Sequence, residues 1–197
     1  MRRRRLRLKS PDRATKPAAR GALPFRTLAG TFWHQCSPRR RLLDLANPAV
    51  TSGRYHRAGG PGVWYASSSE NGAWAELFRH HEAGGVSPSE VTRRIGRARI
   101  KELRVLDLTD ASVREAIGVS AEELTGDDLA RCQEIAQRAQ RAGFDGILAP
   151  SAALDGQQTL VVFATAMRKV VEQSSGVGQP PAHARRMLRR VRSRPAS

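Results

Sequence analysis

The stretch that decides the fold of this 197-residue chain lies between Gly53 and Leu77. It reads GRYHR at 53–57, GGPGVWYAS at 59–67 and AWAEL at 73–77. This order predicts a cationic loop, a glycine-rich turn, a short strand over 63–67 and then a helix.

Three side chains of this stretch, Arg54, Tyr65 and Glu76, are spaced eleven residues apart. They supply a guanidinium that can bind a pyrophosphate, a ring that can stack on a base, and a carboxylate that can face a ribose. Because a dinucleotide site needs all three groups, the spacing makes this stretch the first candidate for a functional site.

The predicted helix has a suitable N-cap in Ser68 or Ser69 and a suitable end at Gly84-Gly85. Its apolar side chains recur at helical spacing, as Trp74, Leu77, Phe78 and His81. Glu76 lies about 200° from Trp74 around the axis, so its carboxylate is expected to point away from the apolar face.

The remaining chain alternates irregularly between predicted strands and helices. Strands are expected at 23–28, 96–100, 104–108, 145–149 and 159–164, and helices after Asp110, from the capping box Ser120/Glu123, and from Thr125 to Gly143. The pattern predicts an α+β or irregular α/β fold: a single mixed central sheet with flanking helices.

The formal net charge of +16 is concentrated at the two ends. Residues 1–20 carry a net charge of +8 and residues 168–197 carry +7, which leaves about +1 for the residues between them. We therefore expect a basic disordered tail over 1–22, a folded domain over 23–168, and a basic tail over 169–197 that is disordered or partly helical. Such tails predict weak, salt-dependent contact with nucleic acid or another anionic surface.

Several classes of site and location are disfavoured by the sequence. Cys36 and Cys132 are isolated, and the adjacent His80 and His81 would point about 100° apart on a helix, so we predict no metal site. Rossmann, P-loop and nucleophile-elbow motifs are missing from the sequence. It also has no signal peptide or membrane-spanning segment, which predicts a cytoplasmic protein.

A family resemblance rests on a set of motifs in a fixed order. They are Arg26 in a strand, Gly53-Arg54, the glycine-rich turn, WYAS at 64–67, Ala75-Glu76, and GFDGILAPS at 143–151. In this order they resemble the RES-domain family over roughly residues 23–165. One departure is His56, because many members have asparagine at that place in the motif.

The resemblance implies both a fold and an activity. The family's fold is similar to that of ADP-ribosyltransferases, and its characterised toxins degrade NAD+ by phosphorolysis or hydrolysis of the nicotinamide–ribose bond. The usual partner is a helix-turn-helix antitoxin of the Xre type, which blocks the active-site cleft, although solitary members exist. The implied function is therefore an NAD+-degrading enzyme, the probable toxin of a toxin–antitoxin pair, with NAD+ as substrate and no metal.

Each candidate residue is expected to have a particular role at such a site. Glu76 would stabilise the oxocarbenium-like state and hold the ribose hydroxyls. Arg26 and Arg54 would bind the pyrophosphate, and Tyr65 would stack on or hydrogen-bond near the nicotinamide. Ser151 would hydrogen-bond the ligand from a loop at a strand end, and His56 would replace the family's asparagine or contact a phosphate.

Two other functions remain open at this point. The same site could transfer ADP-ribose to a macromolecule that the basic tails bring close. Alternatively, the chain could be a non-catalytic, basic nucleic-acid-binding protein. The near-neutral central region and the lack of a recognition helix argue against this second alternative.

Overall fold

The computed structural model describes residues 23–46, 51–83 and 91–181, apart from the side chains of 81–83. The expected tail over 1–22, and the part of the other expected tail beyond 181, lie outside these residues. The strands are β1 (Arg26–Cys36), β2 (Val63–Ser67), β3 (Arg93–Asp107), β4 (Gly146–Pro150), β5 (Gln158–Phe163) and β6 (Val170–Gly178). The helices are α1 (Glu70–Ala83), α2 (Ala111–Ile117), α3 (Ala121–Thr125), α4 (Ala130–Arg141) and a 3-10 helix (Ala164–Lys169).

The six strands form one mixed sheet. β1 pairs with β2 and β3, β2 with β5, β5 with β4, and β4 with β3, so the pairings close a ring to which β6 is added beside β3. Among these pairs of described strands, β3–β4 is parallel and the others are antiparallel. The predicted fold class, a single mixed sheet with flanking helices, is confirmed.

Two strands are longer than the sequence pattern predicts. β1 continues to Cys36 because its second half pairs with β3 as far as Arg94. β3 joins the two strands expected at 96–100 and 104–108, because the register shift between Leu28 and Gly30 of β1 accommodates the exposed residues between them.

β6 lies where we expected the basic tail to begin. Its sequence, VVEQSSGVG, is mostly exposed and does not alternate, which is why the pattern gave no strand there. Backbone pairing with β3 from Val170 to Gly178 holds it in place.

The helix expected to start at Thr125 is divided in two. The capping box of Ser120 and Glu123 is formed as predicted, but the helix it begins ends at Thr125. Gly126 caps that end, and α4 starts only at Ala130. Two of the intervening residues, Asp127 and Leu129, line the cavity described below.

α1 and β2 position two of the predicted functional side chains, Glu76 and Tyr65. The Ser69 hydroxyl accepts a hydrogen bond from the backbone N–H of Gly72, 3.0 Å away, so Ser69 caps α1. Trp74 and Phe78 are fully buried beneath the helix. On β2, Trp64 is fully buried and its indole N–H donates to the Leu42 carbonyl at 2.9 Å, whereas the next residue, Tyr65, faces a cavity.

No helix among the described residues has both the length and the apolar character needed to cross a bilayer.

Candidate active site

A cavity of about 530 Å³ opens between α1, the loop 51–56, the end of β1 and the segment after α3. This volume falls in the range typical of small-molecule sites. Four of the predicted site residues line it together, namely Arg54, His56, Tyr65 and Glu76. The fold therefore gathers on one cavity side chains that lie up to 22 positions apart in the sequence.

The carboxylate of Glu76 is fixed by two hydroxyls. Its Oε1 accepts hydrogen bonds from the Ser151 hydroxyl at 3.1 Å and from the Thr159 hydroxyl at 3.3 Å. Both donors come from the sheet side of the cavity, at the end of β4 and on β5. The carboxylate is thus held by the sheet, although its backbone belongs to α1.

Ser151 lies behind Glu76 and does not itself line the cavity. Its oxygen accepts hydrogen bonds from the backbone N–H groups of Ala153 and Leu154, each at 3.2 Å. Because the lone pairs are used in this way, the hydroxyl proton is directed at Glu76. We expected Ser151 to contact a ligand. In the structure its hydroxyl instead donates a hydrogen bond to the carboxylate of Glu76.

Arg54 is anchored to the segment that follows α3. Its Nη1 donates to the carbonyl oxygens of Leu124 at 3.0 Å and Gly126 at 2.7 Å. Nε and Nη2 carry the other three N–H groups of the guanidinium. The anchoring fixes a cation at the cavity wall.

Tyr65 and His56 form a hydrogen-bonded pair at the base of the loop. The Tyr65 hydroxyl lies 2.9 Å from His56 Nδ1 and accepts a hydrogen bond from the backbone N–H of Tyr55 at 3.0 Å. His56 Nε2 lies 3.1 Å from the carbonyl oxygen of Thr51, which can only accept. Nε2 therefore carries the proton, and the Tyr65 hydroxyl donates to Nδ1.

The electrostatics of this pair keep both partners neutral. Burial lowers the pKa of His56, while its hydrogen bond to the Thr51 backbone opposes the shift. Burial also raises the pKa of the Tyr65 hydroxyl. His56, which we expected to replace the family's asparagine or to contact a phosphate, lines the cavity with its ring between the Tyr65 hydroxyl and the Thr51 carbonyl oxygen.

Gly53 is required by the close approach of this pair to the backbone. A Cβ at this position would lie 2.5 Å from His56 Cε1 and 3.1 Å from the Tyr65 hydroxyl oxygen. Any larger residue would push the pair out of place.

Arg26 does not join the other candidates. Its Nη1 forms an ion pair with Asp107 at 2.9 Å, and its side chain is 46% exposed. It begins β1, whereas β1 reaches the cavity at Trp33, seven residues or about 23 Å further along an extended strand. The expectation that Arg26 binds the same pyrophosphate as Arg54 is therefore corrected: Asp107 is the anion that this guanidinium binds.

Arg79 is a cavity residue that the sequence reasoning missed. It is only 7% exposed, and it donates to Asp127 Oδ1 at 2.8 Å and to the carbonyl oxygen of Ala152. Its position three residues after Glu76 was a usable signal, since residues at that spacing are neighbours on a helix.

The end of β1 supplies further cavity residues that the sequence did not indicate. Burial lowers the pKa of His34 to about 4, and its ring lies 5.2 Å from that of Trp64. The guanidinium of Arg97 lies over the Trp33 ring at 5.7 Å. No local signal identifies these residues, because the pairing of β1 with β2 at Trp33 and Ser67, together with its pairing with β3, brings them to the cavity.

Within residues 23–46, 51–83 and 91–181, no group of three or more histidine, cysteine or acidic side chains is placed to hold a metal ion.

The chain is similar in sequence to known proteins. A probable NAD(+) phosphorylase of Mycobacterium tuberculosis, Rv3189, is 50% identical over 169 residues, covering 86% of this chain and 81% of its own. The NAD(+) phosphorylase MbcT of Mycobacterium bovis is 31% identical over 111 residues, covering 55% of this chain and 58% of its own.

A solved structure is similar in fold. The crystal structure of the Mycobacterium tuberculosis MbcT–MbcA toxin–antitoxin complex contains a chain that matches with a TM-score of 0.72 and 24% identity, over 84% of this chain and 91% of its own. The RES domain matches residues 23–184. The match spans most of the sequence and confirms the resemblance seen in the ordered motifs, so the chain belongs to the RES-domain family.

Proposed function

We propose that this chain degrades NAD+ by breaking its nicotinamide–ribose bond. The observation that carries the proposal is the carboxylate of Glu76, which two hydroxyls fix in the same cavity as Arg54 and Tyr65. Half of the aligned residues are identical to those of a probable NAD(+) phosphorylase, which supports the choice of substrate.

Glu76 supplies the electrostatic part of the reaction. Breaking an N-glycosidic bond places positive charge on the ribose, and a fixed carboxylate beside it lowers the energy of that state. Nicotinamide departs as a neutral molecule, so the departure requires no proton donor. Ser151 and Thr159 hold the carboxylate in position, which avoids reorganisation during the reaction.

Arg54 and Tyr65 bind the two parts of the substrate that flank the reacting ribose, the pyrophosphate and the nicotinamide. The guanidinium of Arg54 is held at the cavity wall, where it can donate to the pyrophosphate. The Tyr65 ring offers a flat, neutral surface for nicotinamide, and His56 fixes the ring through its hydroxyl.

The proposed partner is an antitoxin protein. The fold neighbour is a toxin in complex with its antitoxin, and an open cavity is a surface that a partner can cover. We propose an antitoxin of the Xre type for this chain, and action in the cytoplasm, where NAD+ is available. Co-purification with the product of an adjacent reading frame, lost when that frame is deleted, would test the partner.

The activity is tested by incubating the purified chain with NAD+, with and without phosphate, and measuring released nicotinamide by chromatography. We expect release by the natural chain and a loss of about 10²–10³-fold for Glu76→Gln, because the fixed charge is removed while the shape is kept. Glu115→Gln is the matched control, since Glu115 is exposed on α2. If NAD+ survives under both conditions, the proposed function is wrong.

Identifying the ADP-ribose product of the same reaction, with NAD+ labelled in its adenosine part, separates the possible acceptors. Phosphate as acceptor gives a phosphorylated ADP-ribose, water gives free ADP-ribose, and a macromolecular acceptor gives label bound to protein or nucleic acid. Only the last product would support the ADP-ribosyltransferase alternative.

A further inference from the structure

We propose that Arg79 binds inorganic phosphate as the acceptor of the proposed reaction, and that Asp127 occupies this guanidinium until phosphate replaces it. The inference rests on the proposed function. It adds a second anion site to the cavity, separate from the pyrophosphate site at Arg54.

The position of Arg79 suits an acceptor site. It lies on α1 three residues after Glu76, so the two side chains are neighbours on the helix, and both line the cavity. An anion on Arg79 would therefore lie beside the carboxylate that faces the reacting ribose. An acceptor must reach this place to attack the ribose carbon.

The guanidinium is held ready for an anion. Its Nη1 donates to the carbonyl oxygen of Ala152, which fixes the plane, and its Nη2 donates to Asp127 Oδ1 at 2.8 Å. A guanidinium presents five N–H groups, so it can keep the Ala152 contact while donating to a phosphate.

The two members of the ion pair differ in their access to solvent. The Arg79 side chain is 8% exposed, whereas that of Asp127 is 36% exposed. Asp127 lies in the segment between α3 and α4, so its carboxylate can move into water while Arg79 stays in place. Phosphate would then exchange with the carboxylate, one anion for another, without leaving a buried cation unpaired.

The charges around the reacting centre make such a cation necessary. Phosphate is an anion at neutral pH, and the carboxylate of Glu76 repels it. In the proposed complex Arg54 is used by the pyrophosphate, so a second cation must offset this repulsion. Of the described residues lining the cavity, Arg54 and Arg79 are the two arginines.

The reaction balances with phosphate as the incoming group. A phosphate oxygen forms a bond to the ribose carbon, the carbon–nitrogen bond to nicotinamide breaks, and nicotinamide leaves with the electron pair of that bond. The products are ADP-ribose phosphorylated at that carbon and neutral nicotinamide.

The test measures initial rates of nicotinamide release against phosphate concentration and identifies the sugar products. For Arg79→Lys we expect the KM for phosphate to rise about tenfold or more, with the KM for NAD+ nearly unchanged, because a charge-assisted hydrogen-bond pair is lost. Free ADP-ribose should increase among its products. For Asp127→Asn we expect the opposite, a KM for phosphate lowered about threefold, because the competing charge is removed.

A purely structural role would not give these opposite shifts, since a disturbed cavity changes the kcat and the KM for NAD+ in both variants. Arg141→Lys, at the exposed end of α4, is the control. If the natural chain uses phosphate but both variants keep its KM for phosphate, the assignment of Arg79 is overturned while the proposed function stands. It is also overturned if free ADP-ribose is the sole product at every phosphate concentration.

If circular dichroism shows that Arg79→Lys does not fold, the KM for phosphate of Asp127→Asn is the test of the site. A lowered KM for phosphate supports the site, and an unchanged or raised value overturns it. A natural chain that releases no nicotinamide at all refutes the proposed function instead.

Discussion

The Ser151 hydroxyl donates a hydrogen bond to the carboxylate of Glu76 across 3.1 Å, although the two residues are 75 positions apart in the sequence. This contact joins the loop after β4 to α1 and fixes the group on which the proposed chemistry depends.

Replacing Ser151 with alanine should therefore reduce activity without removing the carboxylate. We expect nicotinamide release to fall about 10-fold to 100-fold, mainly in kcat, because Glu76 keeps its charge but loses one of two orienting partners. The free energy of unfolding should fall by about 1–2 kcal/mol, since two backbone N–H groups lose their acceptor. Thr165→Ala, at an exposed position of the 3-10 helix, is the control, and equal activity of the two variants would contradict the positioning role.

Arg26→Ala should leave nicotinamide release unchanged. The guanidinium is paired with Asp107 and does not line the cavity, so its loss removes no substrate contact. The free energy of unfolding should fall by about 1 kcal/mol, because the pair is half exposed on the arginine side. Urea denaturation measures the stability and the release assay measures the activity. A large loss of activity at unchanged stability would show that Arg26 does contact the substrate.

Gly53→Ala should damage both stability and activity. The added Cβ would lie 2.5 Å from His56 Cε1, so the imidazole ring must move. The Tyr65 hydroxyl, which donates a hydrogen bond to this ring, must move with it. We expect a loss of about 1–3 kcal/mol in the free energy of unfolding and weaker NAD+ binding, read from the KM. Gly176→Ala is the matched control, because nothing lies within 4 Å of a Cβ there. Similar behaviour of the two variants would argue against a tight contact at Gly53.

The stability of the folded chain should fall between neutral and mildly acidic pH because of His34. Burial lowers the pKa of this ring from 6.5 to about 4. Between these values the unfolded chain binds a proton that the folded chain does not, so this stability is full above 6.5 and is lost as the pH falls toward 4. From the two values, the contribution lost at pH 5 is about 2 kcal/mol.

His34→Gln should remove this part of the pH dependence. Urea denaturation of both proteins at pH 7 and pH 5 measures the difference, in which the titration of other groups cancels. Parallel losses for the natural chain and the variant would contradict the assignment to His34.

Much of the local structure follows from short-range sequence signals. The cap at Ser69, the strand 63–67 with Trp64 and Tyr65 on opposite sides, and the capping box of Ser120 and Glu123 all depend on neighbours a few residues apart. The ordered motifs also indicated the family, which the match over residues 23–184 confirms.

The longer features depend on contacts that a local pattern does not record. The second half of β1 and the whole of β6 show no regular alternation of apolar residues, so the sequence pattern did not predict them, and both are held by pairing with β3. The pairing of β1 with β2 at Trp33 and Ser67 places His34 at the cavity, whereas Arg26 lies at the other end of the strand.

The sequence by itself determined the elements around residues 53–77, the class of fold and the presence of an arginine, a phenol and an acid suited to a dinucleotide. The tertiary structure alone decided which of these groups meet. Arg54, Tyr65 and Glu76 line one cavity, to which Arg79 also belongs. Arg26 pairs with Asp107 away from the cavity, and Ser151 contacts the carboxylate of Glu76 without lining the cavity. The physical reason is that side-chain chemistry and helix capping are local, whereas strand pairing and the partner of a buried charge depend on residues far away in the chain.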